Sequence, residues 1–262
     1  MTVGLAVLAL VNLGPISLVV RQALSPASES VRWPLEALPG SVSWQNVQDL
    51  WDTHDVATRV TLSAWVGLAS MLCCFVVGVP AGWSLGRWRA AKAAGTGGAL
   101  LVRMIPPIAI ALPLTSTLIP AGLYNHPWGF GLILAHVLTG TPIALLVSFA
   151  AFRDVPPELE EAAHVDGCSP LRAFAMIAVP AARGPLAGAA VILFLTSWDE
   201  FLYALMIQLT NRTMPPLLYY YTEYGQLGAA SAMALVMILP AIAVIGFLQR
   251  FVVRSSYAGG VL

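Results

Sequence analysis

The chain has 262 residues, of which 58% are hydrophobic and only 10% charged, where an ordinary soluble domain carries about 25% charged residues. Its mean hydropathy of +0.78 leaves too little polar side chain to cover a water-facing surface, and its zero net charge and pI of about 6.9 offer no basic excess for nucleic acid. These values indicate an integral membrane protein, and three cysteines, Cys73, Cys74 and Cys168, give neither a paired disulfide framework nor a CxxC spacing.

Taken in order, the first apolar run is Val3 to Val20. It lacks a basic flank and its uninterrupted length suits a full span, so it is read as a retained helix and not as a cleaved signal. Residues 21–59, rich in Ser, Pro, Trp and acids, read as an extracytoplasmic cap with one short amphipathic helix. Five further spans follow at Val60 to Leu85, Leu100 to Ile119, Trp128 to Phe152, Pro185 to Ile207 and Ala229 to Phe251, each near the ~20 residues that cross a ~30 Å hydrocarbon core. Several contain Pro and Gly, as in "RMIPPIAIALPLTSTLIPAG", which lipid tolerates where neighbouring helices or a watery cavity satisfy the freed backbone groups. The fold class is therefore all-α and polytopic, with about six transmembrane helices.

Charge orients the spans. The 86–98 connection holds Arg87, Arg89 and Lys92, the 153–184 loop holds Arg153, Arg172 and Arg183, and the tail adds Arg254 beside Arg250. Residues 120–127 hold no lysine or arginine, and 208–228 hold Arg212 alone. The excess of basic residues on one side places these segments, and both termini, in the cytoplasm. Arg21 dissents locally and Arg103 is ambiguous. The expected division is 1–59 for the first helix and cap, 60–251 for the transmembrane core with the loop 153–184, and 252–262 for a cytoplasmic tail.

That loop contains "PPELEEAAHVDGCSPLRAFAMIAVP", the most polar stretch of the chain. Asp154 followed by Pro156 and Pro157 predicts a helix start, and Glu158, Glu160 and Glu161 then sit near the positive end of its dipole. Ala162 and Ala163 keep one side small enough for another protein to approach closely. Gly167 permits a turn, and a second short helix is predicted from Leu171 to Val179, stopping before Pro180.

The run Glu161-Ala162-Ala163, three residues, Gly167, nine residues, Ile177, one residue, Val179-Pro180 resembles the EAA signature E-A-A-x3-G-x9-I-x-L-P of bacterial ABC importer permeases, with Val179 in place of the usual Leu. Asp166 also fits the common "DG" form. The resemblance implies the type I ABC importer permease fold and assigns Glu161, Ala162, Ala163, Asp166, Gly167, Ile177 and Pro180 to contact with a cytoplasmic ATPase. "FLTSWDEFLYAL" is similar to the W-N-E-F segment of the carbohydrate branch, the permeases similar to the second maltose permease subunit, with Asp199 where Asn is usual. "FLQRFVVRSSYAGGVL" is similar to that branch's C-terminal end, although Ala258 to Val261 depart from it. The resemblance runs from about Thr61 to the end, and the first sixty residues match only in layout. It implies a bacterial inner-membrane protein partnered by a second homologous permease, two ATPase subunits and an extracytoplasmic solute-binding protein that delivers a sugar. It also implies no cofactor in this chain, with ATP and Mg held by the ATPases.

Trp198, Asp199 and Glu200 follow Pro185 by 13 to 15 residues, which places them roughly 20 Å along the fifth helix. Acids at that depth are costly unless they face a cavity or a partner. One reading puts the three on a translocation pathway, where carboxylates accept hydroxyl hydrogen bonds and an aromatic face stacks on a sugar ring. The other makes them an interfacial belt. Tyr219, Tyr220, Tyr221 and Tyr224, with Trp44 and Trp51, form a similar aromatic group in the outer segments.

Competing chemistry finds less support. Glu161 and His164 have the i, i+3 spacing of a di-iron ligand pair, but a di-iron site needs two such motifs within a bundle, and His54, His126 and His136 are scattered. The sequence has neither a G-x-x-x-x-G-K-[ST] phosphate loop nor a G-x-S-x-G nucleophile turn. The alternatives to an importer permease are a secondary transporter or a polytopic membrane enzyme without an ATPase, or an importer for a non-sugar solute. Neither of the first two explains the polar loop.

Overall fold

The structure is a computed structural model that describes residues 2–26, 41–52 and 55–258. Residues 27–40, 53 and 54 of the expected cap, His54 among them, and residues 259–262 of the expected tail lie outside the described residues.

The elements are helical throughout the described residues. In chain order they are α1 (Thr2–Ala23), α2 (Gln45–Asp52), α3 (Val56–Arg87), α4 (Arg89–Met104), α5 (Pro107–Leu118), α6 (Phe130–Arg153), α7 (Glu158–Val165) and α8 (Pro170–Ala173). A π-helical turn at Phe174–Ala178 leads into α9 (Val179–Ala181), then come α10 (Arg183–Trp198), α11 (Leu202–Ile207), α12 (Met214–Glu223) and α13 (Leu227–Ala258). Among the described residues α3, α6 and α13 are each long and apolar enough to cross a bilayer, and the number of spans is five when each of two bent pairs is counted as one span. The first expected span corresponds to α1, whose 22 residues extend about 33 Å at 1.5 Å per residue.

Two expected spans are not straight helices. The third breaks at Ile105-Pro106, where α4 and α5 meet at 89°. Pro106 and Pro107 are the cause: a residue before proline is pushed out of the helical region, and Ile105 and Pro106 are extended at ψ 123 and 136. The supposed 86–98 connection is largely the first half of α4, which starts at Arg89. The fifth span ends at Trp198, and α11 restarts at Leu202. At its other end α10 meets the segment Pro170–Ala181 at 81°.

The chain forms two compact units, Met1–Ser63 with Arg212–Ala241, and Ala64–Asn211 with Ile242–Leu262. In the first, the amphipathic α2 buries Leu50 among Ala23, Val56, Met214, Tyr221 and Met233. Asn46 on the same helix donates its side-chain amide to the carbonyls of Ala23 at 3.2 Å and Ser25 at 2.7 Å, satisfying groups that the end of α1 leaves without helical partners.

In the second unit α3 and α6 touch backbone to backbone. A Cβ at Gly78 would lie 2.5 Å from Ala144 Cβ, and one at Gly82 would lie 2.7 Å from the Leu145 carbonyl oxygen. Packing continues through Val79, Phe152, Ala178, Ala182 and Leu186 toward one end of the unit. Cys74, Ala144 and Leu193 pack further along. α10 lies against α6, and α11 against α5, so the α4–α5 bend and the α10–α11 break are held in one framework.

Candidate functional site

Two places in the second unit carry the polar groups that the sequence singles out. The first is the loop after α6. Its helix, α7, starts at Glu158 with Pro157 as N-cap, while Asp154 is the C-cap of α6. The expected capping acid thus closes the preceding helix, because α6 runs on to Arg153. The acids Glu158, Glu160 and Glu161 do lie in the first turn of α7, near its positive dipole end.

Helical periodicity divides this segment into two faces. Glu160 and Ala163 are buried, whereas Glu161, Ala162, Val165, Asp166 and Gly167 are exposed, Val165 at 88%. α7 ends in a reversal at Gly167, whose φ is +84. There the Cys168 amide donates to the Ala163 carbonyl at 2.9 Å and the Gly167 amide to the His164 carbonyl at 3.0 Å, the paired pattern of a left-handed helix stop. The space around Gly167 is open, so the backbone conformation, and not crowding, requires glycine there.

The second part of the loop begins at Ser169, whose hydroxyl accepts from the Arg172 amide at 3.4 Å. The helical path does not stop before Pro180 but continues to Ala181. The wider π turn explains this, since it displaces the carbonyls that would otherwise meet the proline ring. Ile177 is half-buried inside that turn and Pro180 is exposed in α9.

Glu160 has the most elaborate environment in the loop. Arg87, in the last turn of α3, donates from Nε to Glu160 Oε1 at 2.9 Å and also from Nη2 to the same oxygen. Trp83 Nε1 donates to Glu160 Oε2 at 2.9 Å. Arg87 further donates from Nη1 to the Phe152 carbonyl at 3.1 Å and from Nη2 to the Val155 carbonyl at 3.2 Å. Phe174 closes the group, with ring centroids 4.9 Å from Trp83 and 5.9 Å from Phe152. In the sequence Arg87 stands out only as a topological charge and Glu160 only as an acid of the first turn.

The second place is the break between α10 and α11. Glu200 holds it: its Oε1 accepts from the Tyr203 amide at 2.8 Å and its Oε2 from the Ala204 amide at 3.0 Å, so the carboxylate caps the open first turn of α11. His136 on α6 stands beside it, with Nε2 3.3 Å from Glu200 Oε2 and Nδ1 2.6 Å from Ser197 Oγ. Next to this cluster lies a cavity of about 440 Å³, lined by Arg103, Ile105 and Pro107 at the α4–α5 bend, Thr139 on α6, and Thr196, Glu200, Phe201 and Tyr203 at the break.

The three expected pathway residues do not act alike. Trp198 is 1% exposed, with its ring stacked on that of Phe194 at a centroid distance of 5.8 Å, so no ring face is open for a sugar or a headgroup belt. Asp199 is exposed at the C-cap of α10. Glu200 reaches the cavity wall. His136 was missed because it is 64 residues from Glu200 and has no sequence motif around it.

Residues 75–256 match the family model described as "Binding-protein-dependent transport system inner membrane component". The chain is similar to the trehalose transport system permease protein SugB of Mycobacterium tuberculosis, 30% identical over 231 residues, covering 86% of this chain and 84% of that protein. Its fold is that of a chain in the crystal structure of a bacterial ABC transporter that imports the acidic polysaccharide alginate, with a TM-score of 0.76 and 16% identity over 95% of this chain and 94% of that one. A chain from a bacterial alginate ABC transporter in complex with an alginate pentasaccharide-bound periplasmic protein aligns with a TM-score of 0.64 and 16% identity, covering 80% of this chain and 82% of that one.

Proposed function

The chain belongs to the family of binding-protein-dependent transport system inner membrane components, and from that membership we propose that it forms one half of the pathway of an ATP-driven importer for a sugar or oligosaccharide. A second, homologous permease supplies the other half. Two cytoplasmic ATPase subunits hold ATP and Mg, and an extracytoplasmic binding protein delivers the solute. Both termini are cytoplasmic.

The observation that carries the reading is the two-faced α7. Its buried side is fastened to α3 through Glu160, while its other side exposes Glu161, Ala162, Val165 and Asp166. A carboxylate, a small residue and an apolar residue on one short exposed helix match a shallow cleft with basic and apolar walls. Docking there by an ATPase gives the polar loop a purpose that neither a secondary transporter nor a membrane enzyme provides. Gly167 fixes where the chain turns away, and Ile177 and Pro180 shape the return path into α10.

The cavity between the α4–α5 bend and the α10–α11 break is this chain's share of the solute pathway. Thr139, Thr196 and Arg103 provide hydrogen-bonding groups on its wall and Phe201 and Tyr203 provide apolar ring surface, a mixture suited to hydroxylated rings. Glu200 shapes the wall by holding the break open, and Asp199 is the more exposed of the two carboxylates. The sugar assignment draws support from the trehalose and alginate systems named above.

The assay is ATP-dependent uptake by proteoliposomes of the full complex, with radiolabelled trehalose, maltose and an alginate oligosaccharide compared with methionine. Uptake of one of the saccharides, dependent on ATP and on the binding protein, is expected. Uptake without ATP, or of methionine alone, contradicts the proposal.

A further inference from the structure

We infer that the Glu160–Arg87–Trp83 cluster is a mechanical clamp that makes α7 move as one body with α3 and α6, so that Glu160 is a positioning residue for coupling; this rests on the importer reading above.

α7 is a short helix. Eight residues are too few for a helix that is stable by itself, so its position depends on tertiary anchors. One face supplies them: Glu160 and Ala163, one turn apart, are both buried. The Glu160 carboxylate has side-chain exposure of 7% and Arg87 of 18%, and a pair so withdrawn from water persists when its remaining donors and acceptors are also satisfied. Here they are. Both carboxylate oxygens accept, one from Arg87 and one from Trp83, and the guanidinium continues to the carbonyls of Phe152 and Val155.

Arg87 therefore joins three segments at one point: the end of α3, the end of α6 and the start of α7. Sliding α7 past α3 would strand a largely buried guanidinium without its counter-charge, so a push on the outer face of α7 is passed on and not absorbed locally. The two long helices that receive it are interlocked by Gly78 and Gly82. α6 also carries Thr139 on the cavity wall and His136, which meets the wall residue Glu200. An unbroken run of packed groups thus leads from the exposed face of α7 to the cavity wall.

The test uses the assembled complex with Cys73, Cys74 and Cys168 replaced, in nucleotide-free and ATP–vanadate-trapped states. Spin labels at Trp88→Cys and Leu159→Cys, both exposed positions outside the face assigned to the ATPase, report the distance from the end of α3 to α7. The parent is expected to give one sharp distance, the same in both states, and Glu160→Ala to lose that peak in both. A second readout is modification of Thr196→Cys in the cavity by a water-soluble maleimide. Its rate is expected to differ between the two states on the order of tenfold in the parent, and to lose that dependence in Glu160→Ala while vanadate-sensitive ATP hydrolysis persists. A residue needed only for folding would not separate hydrolysis from the cavity response. Where Glu160→Ala does not assemble, Arg87→Lys, which keeps the charge but not the forked contact, takes its place with the same expectations.

The clamp is refuted if the variant keeps the parental distance in both states, or if the parental distance itself changes on trapping. It is equally refuted if the maleimide response survives. A parent preparation without vanadate-sensitive hydrolysis counts instead against the importer reading, and the nucleotide-free distances then still decide on the clamp.

Discussion

Gly78→Ala and Gly82→Ala test whether α3 and α6 are locked by close backbone approach. A methyl group at Gly78 would sit 2.5 Å from Ala144 Cβ and 2.9 Å from the Leu145 amide nitrogen. Ordinary carbon contacts are about 3.5–4.0 Å, so the helices must part by about 1 Å or bend. At Gly82 the new methyl meets the Leu145 carbonyl oxygen, the Phe149 amide nitrogen and Ser148 Cβ, all at 2.7 Å. Two of these are backbone atoms and cannot rotate away. Overpacking of this kind costs ~1–3 kcal/mol, which for a chain of this size lowers the melting temperature by roughly 2–12 °C. The two positions are one turn apart against the same helix, so the double variant should cost less than the sum, since one separation relieves both clashes. Gly188→Ala is the control: nothing lies within 4 Å of its Cβ position, and the same substitution there should be neutral or stabilise by about 0.4–1 kcal/mol. The measurement is thermal unfolding of the purified complex in one detergent, with all four variants side by side. If Gly78→Ala and Gly82→Ala melt with Gly188→Ala, the close-contact argument is wrong.

Other substitutions probe the remaining parts. Gly167→Ala should weaken the end of α7 by ~1–2 kcal/mol because of its left-handed backbone, whereas Gly167→Asn, which tolerates that region, should lose less; hydrogen exchange of the Gly167 and Cys168 amides reads both. Asn46→Ala strips the end of α1 of its side-chain donor and should cost ~1–3 kcal/mol, seen as faster exchange in residues 22–25 without change around α7. His136→Ala and Glu200→Ala should be less than additive in thermal unfolding, because the two side chains meet directly; strict additivity would show that the contact contributes nothing. Asp199→Ala should lower uptake while leaving the melting temperature within about 1 °C, as expected of an exposed side chain, and wild-type uptake would remove Asp199 from the pathway.

Some of this was legible from the residues themselves. α6 follows the apolar run that ends near Asp154, Pro156 and Pro157, but the faces of α7 differ from the expectation: Ala162 and Ala163 were expected on one side, whereas Ala163 is buried with Glu160 and Ala162 is exposed with Glu161. The proline pair at Pro106 and Pro107 was visible as a disturbance, but whether it kinks or fully bends a span depends on what the two halves pack against. The α10–α11 break was hidden inside "FLTSWDEFLYAL", which reads as one apolar helix interrupted by two acids; the deciding fact is that Glu200 turns back to cap Tyr203 and Ala204. Trp198 looked like a surface aromatic because its burial depends on Phe194 and on neighbouring helices. The partners of Glu160 were not legible at all, since Arg87 is 73 residues away and pairs with it only through the packing of α3 on α6.

The central claim is that the exposed face of α7 is the ATPase contact. A photo-crosslinking amino acid placed at Ala162 or Val165 in native membranes, with the products identified by mass spectrometry, tests it most directly; the same group at Tyr224, on the expected outer side, is the control. The account predicts an ATPase adduct from positions 162 and 165 and none from 224. A chain that is folded and inserted in the membrane, yet gives no ATPase adduct from α7, would contradict it.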